Sequence, residues 1–235
     1  SHPHIITYID HFEENDTGYL ITEYCSGMML NEYLQENDHA LDPAFIQGTL
    51  LPLVDTLDYI HKQGIIHRDV KPSNIMIMED GTPMLLDFGS AARWPMQSGD
   101  KQAIFTSSGY SPLEFYSEKS SQGPMSDIYS LSALLHYWTC GQPPLDVKKR
   151  LFQDELPSVR SHNTYVNPWL ARVIHWGLTV RSEKRCASLA WVRRSLRVQA
   201  LMWKLRKPGT LEWTLAENEH TQVYNLETGK KHETA

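Results

Sequence analysis

Cysteine is scarce. Cys25, Cys140 and Cys186 stand in odd number and at wide spacing. Such a set builds neither a disulfide framework nor a structural zinc site, and it points to buried or half-buried thiols in a reducing, cytoplasmic compartment. Eleven histidines fall into no zinc spacing with acids or cysteines. No apolar run approaches the roughly 18 residues of a membrane span, and no basic-then-apolar leader pattern is seen at the start. A net charge of −6, from 22 Lys and Arg against 28 Asp and Glu, excludes a chain held to nucleic acid by overall charge. No internal repeat and no low-complexity tract occurs.

Cations are also missing locally. No Lys or Arg precedes Lys62, whereas residues 1–60 carry eleven Asp or Glu. Residues 172–207 reverse the sign, with ten Lys or Arg against Glu183 alone. Two packed parts with solvated faces of opposite sign explain this, with an acidic partner, RNA or anionic lipid as the sharper alternative for the basic stretch. Leu189, Val192, Leu196, Ala200 and Trp203 recur there at helical spacing, which predicts an amphipathic helix closing a domain. Trp169, Trp176, Trp191 and Trp203 near helical pitch are expected in the core rather than in a stacking platform.

An apolar fraction of 41% with 21% charged residues, over 235 residues, suits one globular domain of ordinary size. Residues 5–12 and 18–24 are rich in β-branched and aromatic residues and flank a polar turn, which predicts a hairpin. Residues 28–37 allow a short helix. Asp42 followed by Pro43 is an N-cap with proline at the first helical position, and apolar residues at steps of three and four predict a helix over 43–62, kinked at Pro52 and stopped near Gly64. Runs 75–78 and 83–86 around Glu79-Asp80-Gly81 predict a second hairpin. Residues 90–125 read as a long ordered loop. Residues 127–140, apolar nearly all round, read as a buried helix, with further helices near 166–178 and 187–205 and a strand pair in 210–228.

The chemistry lies in His67-Arg68-Asp69-Val70-Lys71-Pro72-Ser73-Asn74, followed by Asp87-Phe88-Gly89. Asp69, Lys71, Asn74 and Asp87 are a phosphoryl-transfer set by residue type and order. That reaction asks for metal to neutralise phosphates, a cation on the moving group and a base on the acceptor. A carboxylate and an amide oxygen are hard ligands suited to Mg²⁺. The 75–86 hairpin can return Asp87 to the side of Asn74, and Asp69 can face the metal across the loop.

Both patterns, H-R-D-x-K-P-x-N and D-F-G, are met without a gap, and the chain here resembles the eukaryotic-like protein kinases, with a tone similar to bacterial Ser/Thr kinases. The resemblance covers about residues 2–200. It implies an α+β, protein-kinase-like fold: a mainly helical C-terminal lobe with a remnant β-hairpin of the N-terminal lobe. Residues 1–24 would be that remnant, 25–200 the hinge and C-lobe, and 201–235 a tail or the start of a further domain. It implies ATP and Mg²⁺ as cofactors and Ser/Thr residues of proteins as substrate, with no nucleic acid partner and no membrane segment; oligomeric state is left open.

The same resemblance gives residue roles. Asp69 is the base or hydroxyl-orienting group, Lys71 the γ-phosphate cation favouring Ser/Thr over Tyr, and Asn74 and Asp87 the metal ligands. Glu23 and Cys25 belong to the hinge that meets adenine, and Met76 to the apolar floor under it. Arg68 is a counter-charge for an activation-segment phosphate, with Thr106 the first candidate and Ser107 and Ser108 in reach. Ser107 takes the place of the family's substrate-loop Thr. Glu114 pairs with Arg185, Asp127 ties down the catalytic loop, and His67 packs on Phe88. The family's Gly-rich loop, strand lysine and helix glutamate all precede the His2-Pro3-His4-Ile5 segment, so the chain reads as a kinase domain without most of its N-lobe. A pseudokinase-like binding or scaffold module is the alternative reading, and a small-molecule kinase of the aminoglycoside type a third.

Overall fold

The computed structural model describes residues 2–37, 41–95, 103–205, 223–225 and 230–232. Strands β1 (Tyr8–Glu14) and β2 (Thr17–Thr22) form the expected hairpin, closed more tightly than the polar run suggests. Asn15 and Asp16 both take positive φ (51° and 56°), the turn whose twist matches paired strands. Residues 4–6 continue as an extra edge beside β6 (Pro83–Leu85), with Ile6 N–H donating to Leu85 O and Leu85 N–H to His4 O. β3 (Gly27–Met29), β5 (Ile75–Met78) and β6 make an antiparallel sheet in the order β3-β5-β6. A short pair, β4 (Ile65–Ile66) with β7 (Ala92–Arg93), brackets the loop between them in sequence.

α1 (Leu30–Glu36) follows β3 directly. The helix expected over 43–62 runs through that range, with a π-helical turn inside it. α2 (Pro43–Phe45) starts on Asp42, whose carboxylate accepts from Ala44 N–H at 2.9 Å, and passes through a π-helical turn (Ile46–Leu50) into α3 (Leu51–Lys62). Pro52 has no N–H to continue the ladder, and the wider turn before it carries Leu51 N–H to Ile46 O. Gly64, at φ +71°, turns the chain from α3 into β4.

α4 (Pro124–Cys140) is buried along nearly its whole length, as its apolar circumference predicts. Its buried hydroxyls return to the carbonyl one turn back, Ser132 to Ile128 O at 2.7 Å and Thr139 to Leu135 O at 2.8 Å, so none is stranded. Around it lie α5 (Val147–Arg150), α6 (Val159–His162), α7 (Pro168–Gly177) and α8 (Leu189–Leu205). α4 and α7 meet at Gly177, where a Cβ would lie 1.9 Å from Ser132 Oγ. One core runs from α1 through α3 and α4 to α8, with Trp138 and Tyr129 fully buried. The opposite charges of the two ends meet where Arg193 of α8 bonds Asp55 and Asp58 of α3. Trp176 and Trp191 are 40% and 42% exposed, against the expectation of a core position, because they lie on the outer side of the α7–α8 contact; Trp169 and Trp203 are half-buried against the core. A last hairpin, β8 (Val223–Asn225) with β9 (Lys230–His232), lies partly within the strand pair expected at 210–228; the rest of that segment is outside the described residues.

Candidate active site

The loop after β4 is fastened from below by Asp127 in the first turn of α4. Its carboxylate accepts from His67 N–H and Arg68 N–H, each at 2.8 Å, and from His61 Nε2 at 2.7 Å, with no exposed surface. Burial alone pushes such a carboxyl up. The hydrogen bond and charge of His61, with help from His67 and the Arg68 N–H, outweigh burial and hold it below its ordinary value. Arg68 takes φ +69°, an uncommon conformation for a long side chain, and the two backbone bonds to Asp127 flanking that turn keep it there.

His67 is fully buried, edge-on to Phe88 at 4.7 Å between ring centres. Its Nε2 meets a carbonyl, Leu86 O at 3.0 Å, and its Nδ1 meets Asp69 N–H at 3.3 Å, which fixes the proton on Nε2. Burial lowers its pKa, and the neutral ring spends both nitrogens on holding the loop. It is a scaffold residue, as the resemblance implies.

Above this floor, Asp69 gathers the polar groups. Its Oδ1 accepts from Ser107 Oγ at 2.9 Å, and its Oδ2 from Asn74 Nδ2 at 2.7 Å and Lys71 Nζ at 2.8 Å. Lys71 also donates to Ser107 Oγ at 3.0 Å. Asn74 Nδ2 reaches Asp69 O as well, so both amide hydrogens point at Asp69, and Oδ1 is the atom left for a cation. The β5–β6 register, Ile75 opposite Leu85, puts Leu86 N–H on Asn74 O at 2.9 Å. Asp87, the next residue, is exposed in a left-handed conformation (φ 54°), with one oxygen accepting from Gly89 N–H at 3.1 Å. The hairpin therefore brings Leu86, the residue before Asp87, back onto Asn74. Among the described residues no group of three His, Cys, Asp or Glu gathers as a metal site. The amide oxygen of Asn74 and the carboxylate of Asp87 are nonetheless hard donors that fit Mg²⁺ when further oxygens come from phosphates and water.

The other expected residues fall around this centre. The segment between β2 and β3 holds Glu23, whose N–H donates to Thr7 O and whose carboxylate accepts from Thr7 N–H, and half-buried Cys25. Met76 lies on the sheet face opposite buried Ile75 and Ile77. Arg68 donates to Ser90 O at 3.1 Å and Ala103 O at 2.6 Å, spanning the start and middle of the 90–125 loop. Thr106 is exposed. Glu114 and Arg185 form a buried two-pronged pair at 2.6 and 3.2 Å.

Two residues that sequence reasoning passed over complete the frame. His61 supports Asp127 from α3. Asp146 caps α5 through Lys148 N–H and accepts from Ser108 Oγ (3.1 Å) and Tyr116 OH (3.2 Å), which anchors the end of the 90–125 loop. The only signal in the sequence was the helix cap.

Comparison with known proteins decides the family. The protein kinase domain description matches residues 1–195. This chain belongs to the protein kinase domain family. The kinase domain is 32% identical over 146 residues to sperm motility kinase 2B of Mus musculus, covering 62% of this chain and 30% of that protein. It is 28% identical over 184 residues to the probable serine/threonine-protein kinase PknB of Lactococcus lactis, covering 74% of this chain and 28% of that protein. Its fold matches the solved structure titled PpkA-294 apo form at a TM-score of 0.68 and 32% identity, over 83% of this chain and 69% of that one. The α+β, mainly helical kinase fold expected from the sequence is thus the fold observed. The chain spans less than a third of the length of these curated relatives. Among the described residues no helix is long and apolar enough to cross a membrane.

Proposed function

We propose that this kinase domain transfers the γ-phosphoryl group of ATP to Ser or Thr hydroxyls of proteins. The carrying observation is the Asp69 carboxylate, bonded at once to Lys71, Asn74 and Ser107. Asp69 orients the acceptor hydroxyl and takes its proton, and Lys71, two residues on, steadies charge on the moving phosphoryl group. Asn74 and Asp87 hold Mg²⁺, which neutralises the phosphates when bound. Glu23 and Cys25 offer the adenine its backbone contacts, with Met76 beneath. Arg68 receives a phosphate on the loop, Thr106 being the first site to test. That Glu114, Arg185 and Asp127 serve as props for this machinery is supported by their buried contacts.

The test is incorporation of labelled phosphate by the full-length protein. Asp69→Asn and Asp87→Asn are each expected to lower it about a hundred- to ten-thousandfold, with the melting temperature unchanged within error. An Asp87→Asn protein that still labels its substrate overturns the metal assignment. A second reading is binding without transfer. Mg-ATP raises the melting temperature only if it binds the folded state, so a thermal shift without labelling would favour this second reading.

A further inference from the structure

The basic stretch at the end of the domain takes no part in the site around Asp69. α8 lays one side of itself on α2, α3, the π-helical turn and α7, and buries Leu189, Val192, Leu196 and Ala200 there. A second row runs along its opposite side. Trp191, Arg194, Val198, Leu201 and Leu205 follow one another at steps of three and four, with Met202 beside them. Leu201 and Leu205 are 57% and 74% exposed. Exposed apolar residues scattered singly are ordinary, but a contiguous row of them marks an interaction surface. α7 extends the row, since Trp191 meets Trp169 and Trp176 at 6.3 and 6.4 Å between ring centres. Trp176 Nε1–H already donates to Lys184 O at 3.0 Å, so its exposed ring has no polar atom left to satisfy.

Cations border the row. Arg194, Arg197 and Lys204 of α8 are exposed, as is Arg172, which lies between Trp169 and Trp176 along α7. Arg193 spends its charge on Asp55 and Asp58, whereas these four enter no ion pair among the described residues. Glu183 is the one acid in residues 172–205.

We infer that the outer face of α7 and α8 docks on an anionic lipid bilayer, with α8 lying along the surface. Tryptophan and aliphatic side chains enter the boundary between headgroups and acyl chains, while Arg and Lys reach back to the lipid phosphates. Charge complementarity selects anionic over neutral lipid. A nucleic acid would pair the cations and leave Leu201, Met202 and Leu205 in water. The face is a convex ridge about 25 Å long, at 1.5 Å per residue; a fluid bilayer moulds to such a ridge, whereas a protein partner must supply a matching groove. The binding does not depend on the phosphoryl-transfer reading.

The test is sedimentation of the whole chain, without ATP, with vesicles of phosphatidylserine and phosphatidylcholine mixed about 1:2, and with pure phosphatidylcholine. Two variants divide the forces. Arg194→Gln, Arg197→Gln and Lys204→Gln together remove charge; Leu201→Gln with Leu205→Gln removes apolar surface. All these positions are exposed, and glutamine is a good helix former, so melting curves of both variants should match the parent.

Binding to the mixed vesicles alone is expected. Each cation near the surface contributes about fivefold in affinity, so the triple variant should bind about a hundredfold more weakly. Salt weakens binding too, and the leucine variant loses at least about tenfold. Brominated acyl chains should quench the tryptophan fluorescence of the parent, and Trp176→Phe with Trp191→Phe should remove most of that quenching. No binding to the mixed vesicles, equal binding to both vesicle types, or equal binding by the parent and both folded variants overturns the proposal. So does binding without quenching, which would leave the apolar row outside the bilayer. Binding to an oligonucleotide duplex as tight as to the vesicles gives the face to nucleic acid, and self-association abolished by the leucine variant gives it to a second copy; either refutes the bilayer.

Discussion

Replacing Arg185 by methionine takes a guanidinium out of a site that is built around it. Arg185 is 4% exposed and spends its hydrogens on both oxygens of Glu114, on Met125 O, Thr179 O and Val180 O, while its plane lies over the Tyr129 ring at 5.0 Å. Methionine fills much of the volume and supplies none of the donors. Glu114, itself 6% exposed, is left with Ser126 Oγ as the one side-chain donor to its carboxylate among the described residues. Breaking a buried pair from one side costs about 3–5 kcal/mol, because a charge stays behind in low dielectric. Against a domain stability of about 5–15 kcal/mol this is a large share. At about 2–4 °C per kcal/mol for a chain of this size, the melting temperature falls by about 6–20 °C. Removing both charges, with Glu114→Leu beside Arg185→Met, leaves no stranded ion and recovers most of the loss. Urea unfolding followed by tryptophan fluorescence measures all four corners of that cycle. Single variants that cost less than about 1 kcal/mol, or a double variant whose cost equals the sum of the singles, refute the reasoning.

Acid should loosen the core through His136. Burial lowers its pKa to about 4, its Nδ1–H donates to Gln142 O at 3.0 Å, and its Nε2 is buried without a partner, so a second proton there would have no acceptor. The unfolded chain binds that proton from about pH 6.5 downward and the folded chain does not, so stability is full above that pH and falls by about 1.4 kcal/mol per unit below it, about 2 kcal/mol by pH 5. His67, lowered by burial too, acts in the same direction. His136→Gln should flatten the slope between pH 7 and 5, and an unchanged slope would show the assignment to be wrong. At the α4–α7 crossing, Gly177→Ala puts a methyl 1.9 Å from Ser132 Oγ and 2.8 Å from its Cβ, an overpacking worth about 1–3 kcal/mol. Ser132→Ala in the same chain should return part of it in thermal melts, and a Gly177→Ala protein as stable as its parent would mean the helices part freely.

The groups around Asp69 were legible because the chemistry fixes residue type, order and spacing within a single loop and hairpin. Leu86 needs only the β5–β6 excursion to return to Asn74, and alternation with Asp80-Gly81 announces it. Long-range partners announced themselves less. Glu114 and Arg185 were found by resemblance, since nothing local to either tells of the other. His61 looked like one more polar residue near a helix end, and its bond to Asp127 exists only once α3 and α4 have packed. The π-helical turn was hidden because proline at position 52 reads equally as a kink or as a first-turn residue; the choice depends on how Ile46 and Leu50 are buried, which periodicity does not state. The tryptophans misled for a related reason: helical spacing tells which residues share a stripe, not whether another element covers it.

Because the amide hydrogens of His67 and Arg68 end on a carboxylate that belongs to the central helix and has no contact with water, they should exchange with deuterium only when that helix itself comes apart. The exposed ribbon of β1 and β2, with aromatic and aliphatic side chains open to solvent on both strands, should exchange far sooner. A domain wired this way cannot relax its chemical centre to adapt to a substrate without surrendering its whole fold, so whatever gives way has to lie outside the catalytic loop, as the β1–β2 ribbon does.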